Sequence, residues 1–250
     1  MASPAFVLDA YGTLYDVQSV AASTDAAFPG LGDLITQVWR LKQLEYSWLR
    51  SMMGEFRDFW VVTEEALRYT LRVAGVEASP AMVAHMRDAW LQLEPYADAR
   101  DTLTALAGNH RAILSNGSQA MLDTLVRNTG FESLLDTVIS VDACAAFKPS
   151  RAAYALVEER LGVLPGDTVF VSANPFDVAG AKRFGFKVVW IERTTEGALH
   201  SEIREAASIG SGTLFKILRT RPEELGYMPD WRVASLWEAA QLAMAGDMEV

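Results

Sequence analysis

Cysteine is nearly absent from this chain: Cys144 stands alone among 250 residues. A single thiol excludes a disulfide within the chain and fits a reducing compartment. In its apolar setting it reads as a small filler or as a reactive thiol. Histidine is scarce too, and His85, His110 and His200 are too scattered for metal-ligand spacing. No apolar run approaches the roughly 20 residues of a membrane span. No basic segment precedes the short run Phe6-Val7-Leu8, so neither a leader nor a membrane partner is expected. Positive charge is in deficit: 22 Lys and Arg against 32 Asp and Glu leave a net charge of -10. That balance argues against nucleic acid or an anionic membrane as partner. An anionic ligand must therefore be held by local positive charge. What remains is a globular protein, expected in the cytoplasm. Half of it is hydrophobic, and it is long enough for one large α/β domain and a smaller insert.

What the chain does have is a series of short apolar runs, each ending in polar or charged residues. Phe6-Val7-Leu8 leads into Asp9-Ala10-Tyr11-Gly12-Thr13, and Ala112-Ile113-Leu114 into Ser115-Asn116-Gly117. Ala146-Phe147 leads into Lys148-Pro149, and Thr168-Val169-Phe170-Val171 into Ser172-Ala173-Asn174-Pro175-Phe176-Asp177. Open α/β sheets place their chemistry where strands end in this way. Taken singly, each ending has an ordinary reading. Asp9 and Ser115-Asn116-Gly117 also serve as turn formers, and Lys148 as a solvated lysine opening a helix.

Between the first strand and the rest lies a helical tract. Leu34, Val38, Leu41, Trp48 and Met52 recur at helical spacing from Leu31 to Met53. A second helix is expected over Thr63–Ala74, opened by the capping-box pattern Thr63-Glu64-Glu65-Ala66. A third is expected over Ser79–Leu93, with Pro80 in its first turn. From Glu94 onward, strands and helices alternate. Helices are expected at Ala97–Ala107, Gln119–Thr129, Arg151–Leu161 and Phe176–Phe184, and strands at Arg111–Leu114, Thr137–Val141, Thr168–Val171 and Val188–Ile191. Alternation of this kind makes a parallel sheet with helices on both faces. Residues 194–228 form a helical excursion, and a strand at Arg232–Ala234 and a helix at Leu236–Ala245 close the chain. Asn174 reads as an N-cap with Pro175 at N1, which puts Asp177 in a first helical turn where the helix field favours an ionised carboxylate.

Taken in order, these endings resemble the haloacid dehalogenase superfamily, from nucleophile Asp through Ser and Lys to an acidic loop. The superfamily's phosphatases carry Asp-x-Asp, whose second carboxylate is their acid/base. Here that position is Tyr11, and a phenol of pKa about 10 does not replace a carboxylate at neutral pH. The form Asp9-Ala10-Tyr11, with Ser115-Asn116 and Ser172-x-Asn174-x-x-Asp177, resembles the L-2-haloacid dehalogenase branch.

The resemblance implies a doubly wound parallel α/β core of residues 1–15 and 95–250, with a helical cap of residues 16–94 inserted after the first strand. It implies hydrolysis of short L-2-haloacids to D-2-hydroxyacids through an ester on Asp9, with inversion and without metal or cofactor. Lys148 would hold Asp9, and Thr13, Ser172 and Asn174 would surround Asp9 and the hydrolytic water. Asp177 would activate that water, and Tyr154 would support Lys148. Ala10, Tyr11, Ser115 and Asn116 would bind the substrate carboxylate, while Arg40 would receive the halide. Leu44, Phe59 and Phe176, with Tyr11, would line the pocket. The expected partners are a 2-haloacid and a second copy of the chain, as a homodimer. Three function classes follow: a haloacid hydrolase, a phosphatase of the same fold, and a non-catalytic module that binds a carboxylate or a protein.

Overall fold

A computed structural model describes residues 4–248. Strand β1 (Ala5–Leu8) is buried along its whole length, as its unbroken apolar run requires. It is the pivot of a six-stranded parallel sheet in the order β5-β4-β1-β6-β7-β8. The other strands are β4 (His110–Ser115), β5 (Thr137–Ser140), β6 (Thr168–Ser172), β7 (Lys187–Ile191) and β8 (Trp231–Val233). Chain order runs away from β1 in opposite directions on its two sides, so the switch point lies between β1 and β6. The crevice beyond the strand ends at such a point is the ligand site of open α/β sheets. Leu8 is level with Ile113 and Val171, so Asp9 emerges beside Leu114 and Ser172.

The helices of the core are α5 (Ala99–Ala105), α6 (Gln119–Thr129), α7 (Arg151–Leu161), α8 (Pro175–Phe184) and α11 (Leu236–Ala245). Right-handed crossovers send α5 and α6 to one face and α7 and α8 to the other. Accordingly α7 packs on α8, and α11 on α5.

After β1 the chain leaves the sheet through a two-residue strand β2 (Tyr15–Asp16) and returns through β3 (Glu94–Pro95). These two pair antiparallel, clamping the exit and return points side by side. Between them lie helices only: α1 (Ala21–Ala27), α2 (Gly32–Met53), α3 (Phe59–Val73), α4 (Pro80–Asp88) and short 3-10 turns. Trp39 and Trp90 pack edge to face at 5.4 Å in the middle of this layer. Helices α9 (Glu196–Glu205) and α10 (Ser211–Ile217) make up the excursion, and α10 docks on α2.

Three helices differ from the sequence expectation in where they start or end. Helix α3 begins at Phe59, capped by the Asp58 carboxylate, which accepts from Val61 N at 2.9 Å. Thr63 lies inside the helix, its hydroxyl bonded back to the Phe59 carbonyl at 2.6 Å. The capping-box pattern misled because an Asp five residues earlier caps equally well and frees an apolar Phe59 for burial. The helix opened by Ser79 closes at Asp88 and tightens to a 3-10 turn over Ala89–Leu91. The helix expected over Ala97–Ala107 is confined to Ala99–Ala105. No described helix is long and apolar enough to cross a membrane.

Candidate active site

Asp9 is 4% exposed and sits in a turn that doubles back at Gly12, whose φ is +86°. That backbone conformation suits glycine, and it returns Thr13 onto the carboxylate. The Thr13 hydroxyl donates to Asp9 Oδ2 at 2.9 Å, and Asn174 Nδ2 donates to the same oxygen at 2.6 Å. Lys148 Nζ donates to Asp9 Oδ1 at 2.8 Å, to Asp177 Oδ2 at 2.6 Å and to the Leu114 carbonyl at 2.9 Å. All three ammonium protons are thus matched with acceptors. Burial lowers the Lys148 pKa, but Asp177 and Asp9 more than offset it and hold the amine above its ordinary value.

Asp177 is held from three directions: by Lys148, by Tyr154 Oη at 2.7 Å to Oδ1, and by Ser172 Oγ at 3.3 Å to Oδ2. Burial, countered first by Lys148 and reinforced by Asp9, pushes its pKa up to about 6. Desolvation outweighs the helix-start field in setting the direction of this shift, but the carboxyl is still mostly ionised at neutral pH. Asn174 is indeed the N-cap of α8 and Pro175 follows at N1, but its side chain makes no cap bond. It is diverted to Asp9 and to the Tyr11 carbonyl at 3.0 Å.

Asn116 Oδ1 accepts from the Lys148 backbone N at 2.8 Å, tying the strand β4 exit to the lysine loop. Ser115 ends β4 and accepts from Gly117 N at 3.1 Å. Ala10 is buried at the β1 exit. Tyr11 packs on Phe59 at 5.6 Å and Trp90 at 5.8 Å, and its buried hydroxyl has no partner among the described residues. Burial drives that phenol far above its ordinary pKa, so it holds its proton at any physiological pH.

Arg40 is 4% exposed on α2. A polar seam places it: Nη1 lies 3.4 Å from Gln43 Oε1, Gln43 Nε2 donates to Thr63 Oγ1 at 3.0 Å, and the guanidinium lies over Trp90 at 5.9 Å. Leu44 is buried one turn further along the helix. The Phe176 ring is placed differently, edge to face with Trp48 at 5.3 Å. It lines an apolar groove with Phe147 and Pro149, whereas Arg40 lines a separate cavity with Gly12 and Asn174.

Four contributors carry no motif. Trp90 and Gln43 set the position of Arg40, and only the helical spacing of Gln43 from Arg40 hints at the second. The other two are close approaches: a Cβ on Gly117 would stand 2.8 Å from Tyr11 Oη, and one on Gly180 would stand 2.3 Å from Tyr154 Oη. Each glycine leaves room for an aromatic side chain from another element, and local sequence does not encode that. Among the described residues, no three His, Cys, Asp or Glu side chains converge as a metal site.

Residues 4–185 match the family of haloacid dehalogenase-like hydrolases. The chain is 52% identical over 244 residues to the (S)-2-haloacid dehalogenase of Xanthobacter autotrophicus, covering 97% of this chain and 96% of that one. It is 39% identical to the (S)-2-haloacid dehalogenase of Pseudomonas sp. (strain YL), over 94% and 91% of the two chains. The structure is similar, with a TM-score of 0.94 and 50% identity, to the Xanthobacter autotrophicus L-2-haloacid dehalogenase with chloropropionic acid covalently bound. That likeness covers 97% of this chain and 98% of the other.

Proposed function

The chain belongs to the haloacid dehalogenase-like hydrolases, and we propose that it hydrolyses short L-2-haloalkanoic acids to D-2-hydroxyalkanoic acids and halide. The observation that carries this reading is the Asp9–Lys148–Asp177 chain, with Tyr11 where a phosphatase would keep its acid/base. A carboxylate is a poor nucleophile in water because it is well solvated. Buried and held by Lys148, Thr13 and Asn174, the Asp9 carboxyl is desolvated and aimed.

In the first step an Asp9 oxygen attacks Cα from the side opposite the halogen. A C–O bond forms, the C–X bond breaks, and halide leaves with the bonding pair, which inverts the centre. Ala10 and Tyr11 N–H groups, with Ser115 and Asn116, take the substrate carboxylate. Arg40 faces the departing charge without giving up a proton. Tyr11, Leu44 and Phe59 form the apolar surroundings, and Phe176 stays in the neighbouring groove against Trp48. In the second step water attacks Cγ of Asp9, passing its proton to Asp177. Thr13 and Asn174 already donate to Oδ2, so they stabilise the oxyanion that forms there. Ser172 and Tyr154 hold Asp177 in place. Collapse breaks the bond between Cγ and the ester oxygen, the leaving alkoxide takes the proton back from Asp177, and the hydroxyacid departs with its inverted centre intact.

Residues 16–94 act as the cap that excludes water, and residues 1–15 and 95–250 as the catalytic core. We place the enzyme in the cytoplasm, in keeping with its lone cysteine. We also read it as a homodimer. Support comes from the apolar groove beside Met52 and Leu225, which are 76% and 69% exposed.

The test is halide release from L- and D-2-chloropropionate in excess EDTA. Release from the L-enantiomer alone, yielding D-lactate and indifferent to EDTA, is the expected result. Retained configuration, or equal use of both enantiomers, would refute the displacement. A second expectation concerns pH. Asp177 works as a base only when ionised, and burial with the nearby Asp9 charge pushes it up to about 6 in the resting site. The ester removes the Asp9 charge, so ester hydrolysis should be full at neutral pH and fall about tenfold per unit below a midpoint lower than that resting value. Single-turnover decay of the ester measured from pH 5 to 8 gives the profile, and a flat one would remove Asp177 from this role.

A further inference from the structure

The cavity beside Asp9 has a volume of about 400 Å³. Gly12 and Asn174 line it on the Asp9 side, and Arg40, Arg193, Lys216 and Arg219 bring positive charge to it. Its two acidic residues are already engaged. Asp16 accepts from Gln18 N at 2.9 Å and Tyr96 Oη at 3.5 Å. Asp33 accepts from Gln37 Nε2 at 3.1 Å, Gly212 N at 3.1 Å and Ser211 Oγ. Lys216 pairs with Glu202 at 2.8 Å.

The guanidinium groups are not satisfied. Arg40 Nε is buried without an acceptor among the described residues, and so is Arg193 Nε, although Arg193 Nη2 donates to the Thr13 carbonyl at 2.9 Å. The Arg219 backbone N donates to the Lys216 carbonyl at 2.9 Å, but its guanidinium has no hydrogen-bond or ion-pair partner among the described residues and lies over the Phe215 ring at 5.0 Å. Burial, then the charge of Arg40, pushes Arg219 down to about 9, while Asp9 pulls it back. It therefore stays charged at neutral pH, and it lines the same cavity as Arg40. Buried or half-buried cations with unmet N–H donors are costly unless an anion joins them. Guanidinium donors around one cavity with no available carboxylate make an anion site.

We propose that Arg219, brought in by the excursion, completes with Arg40 a halide subsite that receives the anion after it leaves the substrate carbon. This rests on the haloacid reading above. The same helix positions both cations. Arg40 projects from α2, and Asp33 on α2 grips Ser211 and Gly212 at the start of α10, the helix that leads into Arg219. A Cβ on Gly212 would sit 3.3 Å from Asp33 Oδ1, so the two helices are in close contact there. The excursion is thus part of the active site, and Lys148 stays with the two carboxylates.

The test is bromide binding to the full-length resting protein at constant ionic strength, read by tryptophan fluorescence. Trp190 lines the cavity and Trp90 lies under Arg40. Arg219→Gln should weaken bromide binding by about tenfold or more, the loss of a charge-assisted contact. Bromide product inhibition should weaken in step, and Arg219→Lys should restore part of both. Arg221→Gln removes the same charge two residues away, from a side chain paired with Glu196 and Glu224, and should bind bromide as wild type. Unchanged bromide affinity in Arg219→Gln, or an equal loss in Arg221→Gln, would overturn the subsite. A wild type that binds bromide through Arg219 but releases no halide from any 2-haloacid would fault the haloacid reading instead.

Discussion

Asp9→Asn is expected to cut halide release from L-2-chloropropionate by at least about 10⁴-fold, the scale seen when a covalent nucleophile is removed. An amide oxygen does not displace halide at a useful rate, so no ester forms and the second step has no substrate. The replacement is nearly isosteric and leaves Lys148 bonded to Asp177 and the Leu114 carbonyl. It does set an amide N–H₂ against a ring of donors, because Thr13, Asn174 and Lys148 all point at this side chain. A stability loss of about 1–3 kcal/mol is expected from the unmatched donors. Thermal unfolding and 2-chloropropionate binding separate that loss from catalysis: the variant should still fold and bind. Mass spectrometry of trapped protein completes the test. Wild type should gain a propionate adduct on Asp9 in a rapid quench, and the variant none. Turnover surviving in Asp9→Asn would place the nucleophile elsewhere.

Lys148→Met should be the most destabilising single change at the site. It keeps the approximate length of the side chain but removes the one cation that, among the described residues, contacts both Asp9 and Asp177. Two buried carboxylates would then face each other, which breaks an ion network by deleting one partner and costs about 3–5 kcal/mol. The sign of the pH dependence follows from the same charges. Without Lys148 both carboxylates lose their counter-ion, and Asp177, which Lys148 now holds down to about 6, rises further in the folded state. The destabilisation is therefore largest at neutral and alkaline pH and shrinks as pH falls and the carboxyls take up protons. Urea unfolding of wild type and variant at pH 5 and pH 8 measures it, and a gap that does not widen with pH would contradict the account. Activity should fall with stability, because Asp9 loses the Lys148 contact that aims it.

Much of this site is visible along the chain because strand ends are local events. Each apolar run that stops at a polar residue marks the C-terminal edge of the sheet. Asp9, Ser115 and Ser172 follow that rule, and Lys148 follows it through a short turn. The cap helices are visible through their periodicity, although a start such as Phe59 is decided by which residue finds an unpaired N–H to cap.

What the sequence determined by itself was the parallel α/β core and helical insert, the order of the polar strand endings, and the exclusion of a phosphatase-type second carboxylate by Tyr11. The tertiary structure alone decided which groups share a proton field. Asp177 is pushed up to about 6, above the usual carboxylate range though still mostly ionised at neutral pH, because burial, which no local pattern records, outweighs the helix field. Asn174 gives up capping because the strand order brings Asp9 within 2.6 Å of it. Gly117 and Gly180 matter through what other elements press against them, and Arg219 matters because α10 docks on α2 across 179 positions of sequence. Periodicity and capping are read from neighbours in the chain. Burial, charge pairing and close approach depend on neighbours in space, which exist only once the chain has folded.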